Sequence, residues 1–402
     1  MYGEFQAHLQ GKLDEIEKAG LYKRERVIAG PQQPMVTVAD GAPVLNLCAN
    51  NYLGLANHPE ILAAARNSFE EWGYGMASVR FICGTQTIHK QLEERLSDFL
   101  KMEDTILYSS CFDANGGLFE TLLEPQDAII SDELNHASII DGARLSRAKI
   151  KVFRHKDVAH AEELLKEIQN EPGRKLLITD GVFSMDGDIG PVDKLCDLAD
   201  KYGAIMMVDD AHASGVLGRN GRGSVDHFHC TQRVDVQVGT LSKAIGALGG
   251  YVCGSRDLID YLYHRARPFL FSTSHPPSVA ATCIAAFDLL ESEPERIERL
   301  WSNTTYFKEQ LADAGFDVGG KTTPKSETPI TPIIIGDGRQ TMDFSRALFD
   351  AGLMASGIAF PTVPEGKARI RTIMTSEHTR KQIDQALEIL SSVARKMKIL
   401  PA

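Results

Sequence analysis

The stretch AIMMVDDAH, residues 204–212, decides the fold prediction, because five apolar residues run directly into two carboxylates and a histidine. Such a run is typical of a strand buried on both faces of a parallel sheet. Ligands bind beyond the carboxyl ends of such strands, so Asp209 and His212 are candidate functional residues. A carboxylate buried there is costly without a cationic partner. Taken alone, the stretch fits equally well a ligand-binding pair or a helix N-cap aspartate followed by a surface histidine.

Short apolar runs alternate with helical patterns from about residue 60 to 290. The helical patterns include HKQLEERLSDFLKM (89–102) and VDKLCDLADKYG (192–203), whose apolar residues recur at helical spacing. The other predicted strands are TILYSS (105–110), DAIISD (127–132), IKVFRH (150–155), KLLITD (175–180) and VDVQVGT (234–240). Strands separated by helices predict an α/β fold with a mostly parallel sheet that is covered on both faces.

The two ends of the chain differ in pattern from this central part. Residues 4–20 are predicted to form an amphipathic helix, and residues 35–38 a strand that enters a hairpin. Residues 290–402 combine long polar helices with the short strands TPIIIGD and ARIRTIM. We therefore predict three parts: an N-terminal helix and β segment (1–45), a large α/β domain (46–285) and a small α+β domain (286–402).

A lysine follows the predicted strand VDVQVGT in the sequence Leu241-Ser242-Lys243-Ala244. A lysine whose pKa is lowered by its surroundings forms a Schiff base with an aldehyde. The hydroxyls of Thr240 and Ser242 can bind a phosphate. The competing interpretation is an ordinary surface lysine. A Ser-x-x-Lys hydrolase is excluded, because position 240 is threonine and the companion motifs are absent.

Polar turns also follow two other predicted strands. SSCFDANGG (109–117) precedes an apolar helix, and small residues at a helix N-terminus present free N–H groups to a phosphate. It matches neither a P-loop nor G-x-G-x-x-G, and a plain turn explains it equally well. In DELNHAS (132–138), His136 can stack on a heteroaromatic ring, although a lone histidine after a strand is more often a capping or surface residue.

Composition and charge exclude several classes of protein. The 402 residues carry a formal net charge of −11, which disfavours a general nucleic-acid binder and requires local cations or N–H groups for any anionic ligand. The seven cysteines are widely spaced without C-x-x-C, which predicts free thiols and a cytoplasmic location. The polar, acidic N-terminus is unlike a signal peptide, and no apolar stretch is long enough to span a bilayer.

Four further stretches are similar to the α-oxoamine synthases, a family of fold-type I enzymes dependent on pyridoxal 5′-phosphate (PLP). They are CANNYLGL (48–55), GMASVRFICGTQ (75–86), DGVFSMDG (180–187) and ARIRT (368–372). The similarity extends from the N-terminal helix to the C-terminal domain. It implies the aspartate aminotransferase-like fold, with a mostly parallel mixed sheet in the large domain. It also implies PLP as cofactor and a homodimer with a shared active site.

The resemblance implies roles for the candidate residues around the cofactor ring. Lys243 forms the Schiff base with PLP, and Asp209 pairs with the pyridinium nitrogen. His212 and Ser184 contact the phenolic oxygen of the ring. His136 stacks on the ring face and polarises the carbonyl of the second substrate. Lys243, His136, Asp209 and His212 are thus the implied catalytic residues.

The resemblance also implies which residues bind the cofactor phosphate. The backbone of Cys111 and Phe112 holds it together with Thr240. Thr273 and Ser274, in the segment FLFSTSHPP, match residues that reach the phosphate of the neighbouring subunit. The active site is therefore expected at a dimer interface.

Asn50 and Arg371 match residues that hold the carboxylate of the amino-acid substrate. The planar guanidinium of Arg371 can bind both oxygens of a carboxylate at once. The stretches SSCFDANGGLFETLL and RFICGTQ are most similar to members that interconvert 2-amino-3-oxobutanoate and CoA with glycine and acetyl-CoA. This reaction belongs to the degradation of threonine to glycine.

Five basic residues are candidates for binding the anionic CoA: Lys23, Arg24, Arg26, Arg265 and Arg267. For each one taken singly, the favoured interpretation is an ordinary solvated surface charge.

Three alternatives stay open. One is a different condensation within the family, such as that of an 8-amino-7-oxononanoate synthase, which uses another acyl-CoA. Another is an aminotransferase or lyase of the same fold, which would not require CoA. The last is a non-catalytic nucleotide-binding or scaffold protein, which would be colourless.

Overall fold

The computed structural model describes residues 3–20, 22, 25–39 and 41–401. The strands within these residues are β1 (Met35–Thr37), β2 (Pro43–Asn46), β3 (Asp104–Tyr108), β4 (Ala128–Asp132), β5 (Lys149–Phe153), β6 (Lys175–Asp180), β7 (Ile205–Asp209), β8 (Val236–Thr240), β9 (Gly250–Gly254), β10 (Ile330–Gly336), β11 (Leu353–Met354), β12 (Ser356–Ile358) and β13 (Ala368–Ile373).

The helices within the same residues are α1 (Gly3–Lys18), α2 (Pro59–Trp72), α3 (Thr87–Leu100), α4 (Cys111–Leu122), α5 (Ala137–Leu145), α6 (Val158–Glu167), α7 (Val192–Tyr202), α8 (Ser224–His227), α9 (Arg256–Arg265), α10 (Arg267–Phe271), α11 (Pro277–Ser292), α12 (Glu295–Asp313), α13 (Gly338–Asp350) and α14 (Arg380–Lys396).

The largest sheet has seven strands in the order β3-β9-β8-β7-β6-β4-β5. The five strands from β8 to β5 run parallel, whereas β9 is antiparallel to both β8 and β3. The α/β fold with a mostly parallel mixed sheet is confirmed, and every strand predicted between residues 105 and 240 is present. The sequence analysis missed β9, because its short run GYVCG is bounded by glycines and shows no clear period.

Helices cover both faces of this sheet, because successive side chains of a buried strand point to opposite sides. On one face, Met207 of β7 packs in a cluster with residues of α4, α5 and α9. On the other face, Met206 and Val208 pack with residues of α6 and α7. This double cover explains why β7 is apolar up to the carboxylate of Asp209.

The N-terminal segment joins the C-terminal part of the chain. Strand β2 pairs antiparallel with β1 and parallel with β11. Leu45 of β2 therefore packs in one core with residues of α12, α13 and α14. A second small sheet has the order β10-β13-β12. Residue 285, where the large and small domains are predicted to meet, lies within α11, and the three-part division stays a prediction.

Helix α1 confirms the predicted N-terminal helix, and the β1–β2 hairpin confirms the predicted hairpin entry. No residue of α1 is buried, and its apolar side chains Phe5, Leu9, Leu13 and Ile16 are exposed on this chain. Among the residues described, no helix combines the length and the apolarity needed to cross a membrane.

Candidate active site

The carboxyl ends of the parallel strands surround one small cavity, as expected for an open α/β sheet. Its walls come from the ends of β6 and β7, the loop after β8, and the N-termini of α4 and α5. The lining residues are Cys111, His136, Ser138, Asp180, Val182, Ser184, Asp209, Ala211, His212 and Lys243. The structure therefore brings together six of the residues that the sequence singles out.

Asp209 ends β7 with a carboxylate that is almost completely buried. Its Oδ2 accepts a hydrogen bond of 2.8 Å from Asn115 Nδ2, and its Oδ1 accepts one of 2.9 Å from the N–H of Ala211. Within the described part of the chain, no lysine, arginine or histidine forms an ion pair with it. A buried carboxylate held by neutral donors alone is costly. The site therefore favours a ligand that brings a cationic N–H to Asp209.

The amine of Lys243 enters the same cavity from the loop after β8. Burial lowers the pKa of this amine, while the nearby carboxylates of Asp209 and Asp180 act in the opposite direction. No hydrogen bond or ion pair joins the amine to any described side chain. A lysine without a counter-ion and with a lowered pKa is suited to bond covalently to a carbonyl group.

The second buried carboxylate beside the cavity, Asp180, ends β6. Burial and the neighbouring charge of Asp209 raise its pKa well above the usual range. It accepts a hydrogen bond of 3.0 Å from the backbone N–H of His136. This contact fixes the start of α5 over the cavity.

His136 is the N-cap residue of α5, and its partly buried ring lines the cavity. Its Nδ1 lies 2.7 Å from Ser138 Oγ, which orients the ring. Burial and the positive charge of Lys243 lower the pKa of His136, whereas Asp209 raises it. The net direction favours a neutral ring at pH 7, which can stack on an aromatic ligand. That role stays a prediction.

The first turn of α4 supplies free backbone donors. Ser110 caps the helix by accepting a hydrogen bond of 3.0 Å from the N–H of Asp113. The N–H groups of Cys111 and Phe112 precede the first helical hydrogen bond and so have no acceptor within the helix. Gly250 of β9 allows this close approach, because a Cβ there would lie 2.5 Å from the nitrogen of Cys111. Two donors at a helix N-terminus can bind a phosphate.

Burial and the neighbouring Asp209 raise the pKa of the Cys111 thiol well above its ordinary value. The thiol therefore stays protonated and is a poor nucleophile. This agrees with the interpretation that Cys111 contributes its backbone rather than its sulfur.

Thr240 ends β8, three residues before Lys243, and is not among the lining residues of the cavity. Its hydroxyl donates to the carbonyl oxygen of Gly249 over 3.0 Å and lies 2.8 Å from Ser242 Oγ. These contacts hold the loop that carries Lys243. A direct contact of Thr240 with a phosphate stays a prediction.

Arg371 of β13 and Asn50 are not among the lining residues of the cavity, although the positive charge of Arg371 lowers the pKa of Lys243 and of His212, which do line it. The Nε of Arg371 donates to the carbonyl oxygen of Ser184 over 2.6 Å, and its Nη atoms lie 3.4 and 3.5 Å from Asn50 Oδ1. Three segments that are distant in sequence thus meet at one guanidinium. The remaining donors of Arg371 suit a carboxylate, and together with Asn50 they form the predicted substrate pair.

Thr273 and Ser274 do not line this cavity. Ser274 Oγ donates to the carbonyl oxygen of Ser78 over 3.1 Å, and Thr273 is exposed with a left-handed φ of 59°. The segment is held against the end of β3, because Ser109 Oγ donates to the carbonyl oxygen of Ser272 over 3.2 Å. An exposed Thr273 is compatible with the prediction that it serves a neighbouring subunit.

None of the predicted CoA cations lines the cavity. Lys23 and Arg24 lie outside the described residues. Arg26 lies over the ring of Phe349 at 4.0 Å, while Arg265 and Arg267 belong to α9 and α10. The position of a CoA site stays open.

Sequence reasoning assigned no role to Asn115, Tyr52 or Asp180, although all three touch predicted site residues. Asn115 donates to Asp209, Tyr52 lies 2.8 Å from His212, and Asp180 lines the cavity. The signal for Asn115 was its position in the apolar first half of a helix, where an amide needs a buried partner. Tyr52 carried no comparable signal.

Taken together, the cavity combines a carboxylate without a cation, an amine without an anion and free N–H groups at a helix N-terminus. A single ligand that satisfies all three carries a protonated ring nitrogen, a carbonyl carbon and a phosphate. The residues present fit such a ligand.

Comparisons with known proteins also indicate a PLP-dependent enzyme. The family described as "Aminotransferase class I and II" matches residues 42–390 of this chain. An 8-amino-7-oxononanoate synthase from Symbiobacterium thermophilum is 53% identical over 389 residues, covering 97% of this chain and 98% of the relative. A 2-amino-3-ketobutyrate coenzyme A ligase from Escherichia coli K12 is 49% identical over 402 residues, covering 100% of both chains. A high-resolution structure of serine palmitoyltransferase (SPT) with PLP superimposes on this chain with a TM-score of 0.92 at 30% identity, covering 100% of both chains.

Proposed function

Because the chain belongs to the α-oxoamine synthases within the class I and II aminotransferase family, we propose that it is a glycine C-acetyltransferase. Its cofactor is PLP. The proposed reaction joins the Cα of glycine to the acetyl carbon of acetyl-CoA, releasing CoA and forming 2-amino-3-oxobutanoate. The reverse reaction would use CoA to cleave 2-amino-3-oxobutanoate, the oxidised product of threonine, to glycine and acetyl-CoA.

One observation carries the family-level activity: Lys243 and Asp209 line one cavity, and neither has a counter-ion among the described residues. The choice of glycine and acetyl-CoA rests on sequence. The stretches 80–86 and 109–123 resemble that member of the family, and the ligase from E. coli aligns with every residue of the chain.

A second candidate has its own support. The 8-amino-7-oxononanoate synthase from S. thermophilum is slightly more similar, at 53% identity. This alternative would condense an amino acid with a different acyl-CoA in the same active site. The two candidates share the cofactor and differ in the size of the acyl group and of the amino-acid side chain.

We propose that Lys243 holds PLP through its Nζ atom and that Asp209 keeps a proton on the ring nitrogen. The free N–H groups of Cys111 and Phe112, with Thr240, would bind the phosphate. His212 and Ser184 would face the phenolic oxygen, and His136 the ring. When bound, PLP supplies an electron sink that stabilises negative charge at the substrate Cα.

The chain's own groups then perform the remaining tasks. Arg371 and Asn50 orient the amino acid by its carboxylate. Once the amino group of glycine has replaced it on the cofactor, the freed amine of Lys243, whose pKa burial lowers, would remove the proton from Cα as a general base. His136 donates a hydrogen bond to the carbonyl oxygen of the acyl donor while the carbon–carbon bond forms and the carbon–sulfur bond breaks.

We further propose a homodimer that shares its active sites. Four apolar side chains near the exposed Thr273 are between 48% and 70% exposed on the single chain: Phe81, Ile82, Phe112 and Phe271. Two hydrogen bonds link the segments that carry these side chains to the segment around Thr273. The carbonyl oxygen of Ser78, just before Phe81 and Ile82 in the chain, accepts from Ser274, and the hydroxyl of Ser109, just before Phe112, donates to the carbonyl oxygen of Ser272. An apolar patch around a site is typical of a protein interface.

The attachment of the cofactor is tested with Lys243→Ala. Borohydride should fix the cofactor on the wild-type peptide that contains Lys243, because reduction makes the bond between Nζ and the cofactor permanent. The variant should carry no covalently fixed cofactor, as measured by mass spectrometry of the digest. Lys12→Ala, on the exposed face of α1, is the matched control and should behave as wild type. Covalent fixation in Lys243→Ala would refute the assignment.

The substrate is tested with glycine, L-alanine and L-serine, each combined with acetyl-, succinyl-, pimeloyl- and palmitoyl-CoA. The release of CoA thiol is followed by absorbance. The kcat/KM for glycine with acetyl-CoA should exceed that for L-alanine with pimeloyl-CoA by about 100-fold or more. The reverse order would favour the second candidate, and turnover without any acyl-CoA would refute both.

Assembly is tested by sedimentation velocity at micromolar concentration. Wild type should sediment at twice the mass of the chain, and Phe271→Asp should shift the equilibrium toward monomer, because a charge would replace a buried apolar contact. Leu145→Asp, at an exposed leucine at the end of α5, is the control. A wild-type monomer that turns over acetyl-CoA normally would contradict the shared site.

A further inference from the structure

We propose that Tyr52 is a positioning residue that fixes the tautomer of His212, so that the Nε2 atom of His212 keeps its proton for the cofactor. The proposal rests on the proposed function only in that PLP occupies the cavity lined by His212. It concerns a residue to which neither the sequence analysis nor the comparisons assign a role.

The geometry joins the two side chains directly. Tyr52 Oη lies 2.8 Å from His212 Nδ1, and the two rings meet edge to face with centroids 6.3 Å apart. Both side chains are almost completely buried. The carbonyl oxygen of Tyr52 accepts a hydrogen bond of 2.8 Å from the N–H of Ser376, which ties the residue to the chain just after β13. The position of the hydroxyl is therefore fixed by the fold.

The direction of the hydrogen bond follows from the chemistry of the neighbours. Burial raises the pKa of Tyr52 to about 12, so the hydroxyl keeps its proton at neutral pH. The positive charge of Arg371 acts on the same hydroxyl and opposes that rise in pKa. A guanidinium carries only donors, so the Tyr52 oxygen can accept from Arg371 but not donate to it. The single hydroxyl proton is then directed to Nδ1 of His212.

His212 can accept that proton only if its ring is neutral. Burial lowers its pKa well below the ordinary value, and the positive charges of Lys243 and Arg371 lower it further, as does His136. These three groups come from the loop after β8, from β13 and from the start of α5. No carboxylate hydrogen-bonds either ring nitrogen within the described residues. A neutral ring that accepts at Nδ1 carries its one proton on Nε2.

The consequence is a fixed donor at the cavity wall. With Nδ1 occupied, the Nε2–H of His212 is available to the cofactor's phenolic oxygen and stabilises its negative form. Loss of the Tyr52 hydroxyl would let the two tautomers exchange, and part of the population would then present an acceptor to that oxygen. Tyr52 thus acts through His212 and does not touch the reacting atoms.

The test uses the holoenzyme with Tyr52→Phe. The visible absorbance of the bound cofactor is titrated with pH, and kcat and KM are measured for CoA release. The apparent pKa of the chromophore should rise by about half to one unit, because the negative oxygen loses a donor. The kcat should fall about tenfold with little change in the KM for glycine.

Two comparisons separate this role from a structural one. Tyr306→Phe removes a different tyrosine hydrogen bond, from Oη to Asp384 Oδ1 at 2.7 Å between α12 and α14, and should leave the chromophore titration unchanged. In the His212→Asn background, Tyr52→Phe should produce no further shift, because the two residues act as one unit. A full second shift in that background, or an unchanged titration in Tyr52→Phe alone, would overturn the proposal.

A measurement on the wild type does not depend on the folding of a variant. In enzyme labelled with ¹⁵N-histidine, the Nδ1 of His212, assigned by comparison with His212→Asn, should have the chemical shift of an unprotonated acceptor. A protonated Nδ1 would overturn the proposal. Neither the titration of the chromophore nor the ¹⁵N chemical shift depends on the acyl group, so failure of the acetyl-CoA assignment would leave these two readouts intact.

Discussion

The carboxylate of Asp209, buried at the end of β7, is the constraint on which the active site depends. The sheet must be covered on both faces to bury β7, and no cationic side chain of the described residues forms an ion pair with Asp209 at its end. The amine of Lys243 beside it has no counter-ion among the described residues, and burial lowers its pKa. Each group is unfavourable when buried without a partner, and PLP would offer a protonated ring nitrogen to Asp209 and a carbonyl carbon to Lys243.

The second constraint is the meeting of distant segments at Arg371. Strand β13, the loop that carries Ser184 and the N-terminal segment that carries Asn50 converge on one guanidinium. Tyr52 extends this junction to His212. The proposed binding of an amino-acid carboxylate at Arg371 would thereby lie next to the group that is proposed to tune the cofactor ring. Under these proposals, substrate recognition and cofactor chemistry share one set of buried contacts.

The sequence predicted the strands and their polar ends well, because a doubly buried strand leaves an apolar run that stops at the candidate residue, as at Asp209, or shortly before it, as at Lys243. It missed β9, whose glycines allow close packing, Gly250 against Cys111 and Gly254 against Leu258, rather than a periodic pattern. It also missed the contact of Tyr52 with His212, because no local pattern encodes a hydrogen bond between residues so far apart in the chain. The sequence also could not predict which acyl group is accepted. That specificity depends on the shape of the complete site, to which we propose that a partner subunit contributes.

The protonation state of the bound cofactor tests the central claim most directly. Holoenzyme is prepared with PLP labelled with ¹⁵N in the ring, and the nitrogen is observed by NMR at neutral pH. The account predicts a protonated ring nitrogen in the wild type and an unprotonated one in Asp209→Asn, because only the carboxylate holds that proton. An unprotonated nitrogen in the wild type, or a protonated one that persists in Asp209→Asn, would contradict the account.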